Sequence, residues 1–182
     1  EDQYQFTNLF VLYQDILQRL FNSQILTLGI VYIALLLVMW VLFKRLSVAI
    51  VALVPNVICT LVILAVMGYA NIPLDLMTIT IAAIAMGIAV DDTIHFVHHY
   101  LHGHSTPNEA VKQAYFSVGY AMLFTTVIIC VGFALLAFSD FVPSMLFGLL
   151  TALAMIVALV TDLTLLPALL TRFITPAVAK KS

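Results

Sequence analysis

Charge is what this sequence has least of. Of its 182 residues only 9% are charged, and seven lysines and arginines face nine acids for a net charge of -2. A soluble domain carries about 25% charged residues and about 45–50% apolar ones. Here the apolar share is 64% and the mean hydropathy +1.15. So little charge, of nearly balanced sign, excludes a nucleic-acid partner and a soluble globular domain. Cysteine is also scarce: Cys59 and Cys130 both lie inside apolar runs, where packing thiols are expected rather than a disulfide. The polar, acidic start from Glu1 to Asn8 has no pattern of a cleavable signal. No soluble domain, repeat or low-complexity linker interrupts the chain. No cofactor is called for by any motif.

What is present is a set of long apolar runs. Five approach the roughly 20 residues that cross about 30 Å of hydrocarbon: 25–43, 48–67, 76–97, 116–138 and 143–170. Their short connections make neighbours antiparallel. The fold class expected is all-α, an integral membrane bundle of five transmembrane helices within residues 23–172. A cytoplasmic tail, 173–182, follows. Before it, Phe6, Phe10, Tyr13, Leu17 and Leu20 recur at three- and four-residue spacing, an apolar stripe opposed by Gln14, Asp15, Gln18 and Arg19. Residues 1–22 therefore read as an amphipathic helix at the interface, or as one packed on a further domain.

Charge orients the bundle. Lys44, Arg45, Lys112, Arg172, Lys180 and Lys181 fall on one side of a five-span zigzag, and Arg19 alone on the other. The positive-inside rule puts the N-terminus outside and the C-terminus in the cytoplasm. An odd number of spans with an outside N-terminus leads us to expect a preceding piece. Thr106-Pro107-Asn108-Glu109 is a capping box with proline at the first helical position. It starts a cytoplasmic helix to about Tyr115, feeding the fourth span, with Gly119 as a bend. Ser139 or Asp140, before Pro143, starts the fifth, and Pro55 and Pro167 are expected kinks.

Against this background Asp91 and Asp92 stand out. From Leu76 to Val90 there is no charged residue, and an ionised aspartate at a bilayer centre costs roughly 2.5–3.5 kcal/mol. Counting about 1.5 Å per residue from the cytoplasmic end puts the pair roughly 8–9 Å deep, Asp162 at about 10 Å, and Thr125 and Thr126 at about 14 Å. One polar centre, to which Thr161 and Thr164 add hydroxyls, is expected at that level. Burial and a neighbouring carboxylate both favour the neutral form of a carboxyl in general, and intramembrane carboxylates are the usual parts of proton relays. No lysine or arginine lies in any span to neutralise them. Asp91 and Asp92 are thus the candidate relay, and Thr125, Thr126, Asp162 and His95 are candidate accessories. His95 shares a helix face with both acids, as a shuttle or partner or else as a hydrated interfacial histidine. Gly87, on a small-residue ladder with Ala83 and Asp91, is read as helix packing.

His95, His98, His99, His102 and His104 also resemble one box of the membrane di-iron hydroxylases, a remote alternative in which imidazoles share a metal. That chemistry needs several boxes and the chain has one, so no metal site is assigned and the reading is not an enzyme. A solvated cluster is the plainer account of the last four.

Several segments together resemble a known family. Gly87-Ile88-Ala89-Val90-Asp91-Asp92-Thr93-Ile94-His95 resembles the fourth- or tenth-helix motif of the RND superfamily, nearest its MMPL-type and hopanoid-transporter branch and the sterol-sensing-domain proteins. Ser105 to Ala110, Thr125 to Phe133, Phe147 to Leu150, and Asp162 to Leu170 match later motifs in order. The resemblance implies proton-motive-force-driven export of lipids or other hydrophobic molecules, across the inner membrane of a bacterium. In it Asp91 and Asp92 stand at the relay positions, with Thr125 or Thr126 as the facing hydroxyl. Family members have about twelve spans in two halves with large extracytoplasmic domains, so the implied partners are a missing N-terminal half, those domains, membrane lipids and further copies in a homo-oligomer. The ending Leu166-Pro167-Ala168-Leu169-Leu170 and basic tail favour the C-terminal half. A non-transporting lipid- or sterol-sensing module, or a scaffolding one, is the rival reading.

Overall fold

The computed structural model describes residues 2–72, 76–102 and 106–174. Among them there is no strand. The helices are α1 (Asp2–Phe43), α2 (Leu46–Tyr69), α3 (Leu76–Leu101), α4 (Pro107–Ala114), α5 (Tyr120–Ala134) and α6 (Val142–Phe173). A π-helical turn, Tyr115–Gly119, joins α4 to α5, and a 3₁₀ turn, Leu135–Phe138, ends α5. Four stretches are long and apolar enough to cross a membrane: Ile25–Phe43, Leu46–Tyr69, Pro107–Phe138 and Val142–Phe173. At 26 residues, α3 also has the length. The expected all-helical membrane bundle is the architecture observed.

The chain divides into two compact units, Glu1–Leu37 and Val38–Ser182. The first is helix from Asp2, continuous through residue 23, where a boundary between an interfacial helix and a span was expected. Its apolar side chains Ile25, Leu26, Ile30 and Ile33 are exposed, as suits a helix solvated by hydrocarbon.

The second unit is organised around α6, which packs against α2, α3 and α5. Small residues make those approaches close: Ala85 and Ala89 on α3, and Ala154 and Ala158 on α6, are buried at four-residue spacing. Lipid tails are as apolar as leucine, so small faces and hydrogen bonds hold membrane helices together. The thiol of Cys59 on α2 donates to the carbonyl of Ala154 at 3.4 Å, and Cys130 on α5 to that of Ala152 at 3.4 Å. Both cysteines are free, in the packing role expected. Bulky residues such as Leu61, Val127, Ile128 and Phe138 point outward.

Local signals account for the joints. Lys44 ends α1 with φ 53°, its amide donating to Trp40 O at 2.8 Å. Thr106 caps α4: its hydroxyl accepts from the Glu109 amide at 3.4 Å and donates to the Glu109 carboxylate at 2.8 Å. At the start of α6 the cap residue is Phe141, and the Ser139 hydroxyl accepts the Phe141 amide at 3.2 Å. At Gly119, where a bend was expected, the chain runs through the π turn with helical backbone angles. Pro167 removes the amide that would serve the carbonyl of Leu163, and the hydroxyl of Tyr115, first residue of that turn, donates to it instead.

Candidate functional site

Adjacent residues on a helix point about 100° apart, and Asp91 and Asp92 differ in exposure. The Asp91 side chain is 72% exposed and lies 3.7 Å from Nε2 of His95, itself 63% exposed. That is ion-pair range when the imidazole is protonated and too long for a hydrogen bond. Asp92 is half-buried, near enough to Asp162 on α6 for their charges to interact.

The next residue, Thr93, is fully buried and is the hub of the interior polar cluster. Its hydroxyl oxygen stands 3.0 and 3.1 Å from the two carboxyl oxygens of Asp162, 2.9 Å from Ala89 O, and 3.2 Å from Nδ2 of Asn56, which donates to it. Nδ2 also lies 3.4 Å from Ala52 O. Asp162 is 1% exposed and Asn56 is buried. Three helices thus meet in one hydrogen-bonded cluster, Asn56 from α2, Thr93 from α3 and Asp162 from α6. Buried polar groups in apolar surroundings are tolerated when bonded in this way.

The other residues singled out are more scattered. Thr126 is buried with a hydroxyl that meets no acceptor among the described residues, while Thr125 is exposed and bonds back to Ala121 O at 3.1 Å and Met122 O at 3.0 Å. Thr161 and Thr164 likewise bond to carbonyls of their own helix. Gly87 faces outward with nothing within 4 Å of where a Cβ would stand, so a packing partner for it would come from beyond the described residues. The rings of His98 and His102 stand 4.3 Å apart, and His98 is held below the usual imidazole range, by desolvation first and then by His102, His99 and His95. Among the described residues no three His, Cys, Asp or Glu side chains converge as a metal-binding set; His104 lies outside the described residues.

Asn56 and Thr93 were not among the residues singled out from sequence. The signal for Asn56 was available, since it is the one amide in the apolar run 48–67. Thr93 carried none beyond its place after the acids.

Beside the π turn, an apolar crevice of about 290 Å³ opens between Tyr115, Phe116, Gly119, Tyr120, Leu123 and Leu163. Its walls hold side chains that suit hydrocarbon.

A sequence profile of the AcrB/AcrD/AcrF family matches residues 18–182. Among curated proteins, one named as a membrane protein, MJ1562 of Methanocaldococcus jannaschii, is 30% identical over 152 residues. That alignment covers 82% of this chain and 39% of the relative, so the chain spans about two fifths of the length of the relative it matches.

Proposed function

Because the chain belongs to the AcrB/AcrD/AcrF family, whose RND permeases are transporters, we propose that it is the membrane part of a proton-driven exporter of lipids or other hydrophobic molecules. Asp91 and Asp92 are the proton relay of this reading, within a bacterial inner membrane and with the C-terminus in the cytoplasm. The observation that carries it is the pairing of environments on one helix. Asp91 lies on an open face beside His95, and Asp92 is half-buried, close enough to Asp162 for their charges to interact. Two adjacent carboxyls so placed can pass a proton between an outer, hydrated face and the bundle interior. His95 is the accessory on the open face beside Asp91, and the Thr126 hydroxyl, buried on α5, is a second candidate.

An exposed carboxyl at membrane depth also needs a covering of protein or water. In this proposal a second helical half supplies it, packing along the Ala83, Gly87 and Asp91 face. Rocking of one half against the other then alternates access. The apolar crevice beside the π turn supports a hydrophobic cargo or a bound lipid chain.

The test is Asp91→Asn and Asp92→Asn in the intact protein, with export followed while the proton gradient is held. Loss of export in either supports the relay. Undiminished export in both refutes it. Lipid binding that persists without vectorial movement when the gradient is collapsed would favour the sensing module instead.

A further inference from the structure

The Asn56–Thr93–Asp162 cluster contains a hydrogen-bond ambiguity that has chemical content. The Thr93 hydroxyl has one proton and two acceptors within reach, Ala89 O at 2.9 Å and the Asp162 carboxyl at 3.0 and 3.1 Å. Asn56 Nδ2 can only donate, so its bond at 3.2 Å occupies one of the two lone pairs of the Thr93 oxygen whatever the proton does. One acceptor site and one proton remain on the hydroxyl.

From this arrangement we propose that Asp162 is a proton-binding site separate from Asp91 and Asp92, whose two protonation states are accommodated by reversal of its hydrogen bond with Thr93. Asn56 is the residue that positions the hydroxyl. With Asp162 ionised, Thr93 donates its proton to the carboxylate. With Asp162 protonated, the acid donates to the free lone pair of Thr93, whose own proton turns to Ala89 O. Asn56 donates in both states, and no heavy atom has to move. Only one proton enters or leaves the cluster, and Thr93 and Asp162 stay bonded to each other in both states.

The surroundings give Asp162 a reason to exchange that proton. The titratable groups whose charges it feels are Asp92 on α3 and the Cys59 thiol on α2. Neither can supply a positive charge. No acid, lysine, arginine or histidine occurs from Gln113 to Phe138, or anywhere in α2. Glu109 and Lys112 of α4 and Arg172 of α6 are exposed. A proton is then the means by which this buried charge is neutralised, since a buried charge is costly unless it is paired. An asparagine at 162 would bond Thr93 equally well but in one state only.

The role of this site in transport rests on the exporter reading above, whereas its titration does not. The experiment is infrared difference spectroscopy between acid and alkaline pH on the intact protein in lipid vesicles, in H₂O and D₂O. In an Asp91→Asn/Asp92→Asn background, where the acids outside the cluster contribute equally to every variant, we expect a protonated-carboxyl component that Asp162→Asn removes. Thr93→Val should shift the band, and Thr93→Ser should restore it. Transport driven by the gradient, in the protein with Asp91 and Asp92 intact, should fall about tenfold or more in Thr93→Val, the size of a lost hydrogen bond to a charged group. A carboxyl band pattern unchanged by Asp162→Asn in that background overturns the proposal. Should Asp162→Asn fail to fold, the same band unmoved by both Thr93→Val and Asn56→Leu overturns it. Export that survives the loss of Asp91 and Asp92 would refute the relay and leave this band in place.

Discussion

The close approach of α6 to the end of α5 depends on one glycine. A Cβ at Gly148 would stand 2.4 Å from Phe133 O and 2.7 Å from Leu136 Cβ. Ordinary contact begins near 3.4 Å, so an alanine there needs the helices to part by about 1 Å (3.4 − 2.4). The obstacle is a carbonyl at the end of α5 and the Cβ of a 3₁₀ turn, neither of which can swing away like the tip of a long side chain. Forcing extra carbon into a packed site costs about 1–3 kcal/mol. Glycine-to-alanine in a helix also gains roughly 0.8–1.0 kcal/mol from propensity, and Gly132 on α5 isolates that gain, because nothing lies within 4 Å of its Cβ position. The propensity gain is common to both variants. Gly148→Ala should therefore be less stable than Gly132→Ala by about 1–3 kcal/mol, measured by denaturing-detergent titration in mixed micelles. Equal stability, or a more stable Gly148→Ala, would refute the close approach. The displacement should also reach Asp162, about four turns further along α6, and lower gradient-driven transport in the same variant.

Tyr115→Phe removes the hydroxyl that serves the carbonyl freed by Pro167, and should cost about 1 kcal/mol for the lost hydrogen bond to a half-buried acceptor. Pro167→Ala restores an amide to that carbonyl, so the Tyr115→Phe penalty should shrink in its presence; simple additivity in the double-mutant cycle would contradict the assignment. Trp40 is the single tryptophan, so Trp40→Phe with Phe116→Trp puts the only indole at the crevice. Brominated acyl chains should quench it, and an unquenched signal would mean that protein rather than lipid covers that face.

The spans were legible because run length is a one-dimensional property: Ile25–Phe43 and Leu46–Tyr69 differ from the expected runs by two residues or fewer at each end. The cap at Thr106 was legible too, since it is written in a few consecutive residues. Depth along a helix is also a count, which is why Asp162 could be set level with the acid pair, and in the fold it meets Thr93, the very next residue. What counting cannot supply is azimuth. Asp91 and Asp92 have nearly the same depth and neighbours in sequence, yet one is exposed beside His95 and the other is half-buried. Azimuth depends on which helices adjoin, and a hydropathy pattern in an all-round apolar helix carries almost no facial signal. Asn56 and Thr93 were missed for that reason. Each is a single polar side chain, ordinary alone, and becomes a site only where α2, α3 and α6 converge. It follows that in a bundle of this kind the informative residues are the isolated amides and hydroxyls opposite a buried acid, since each must have a partner and the partner must come from another helix.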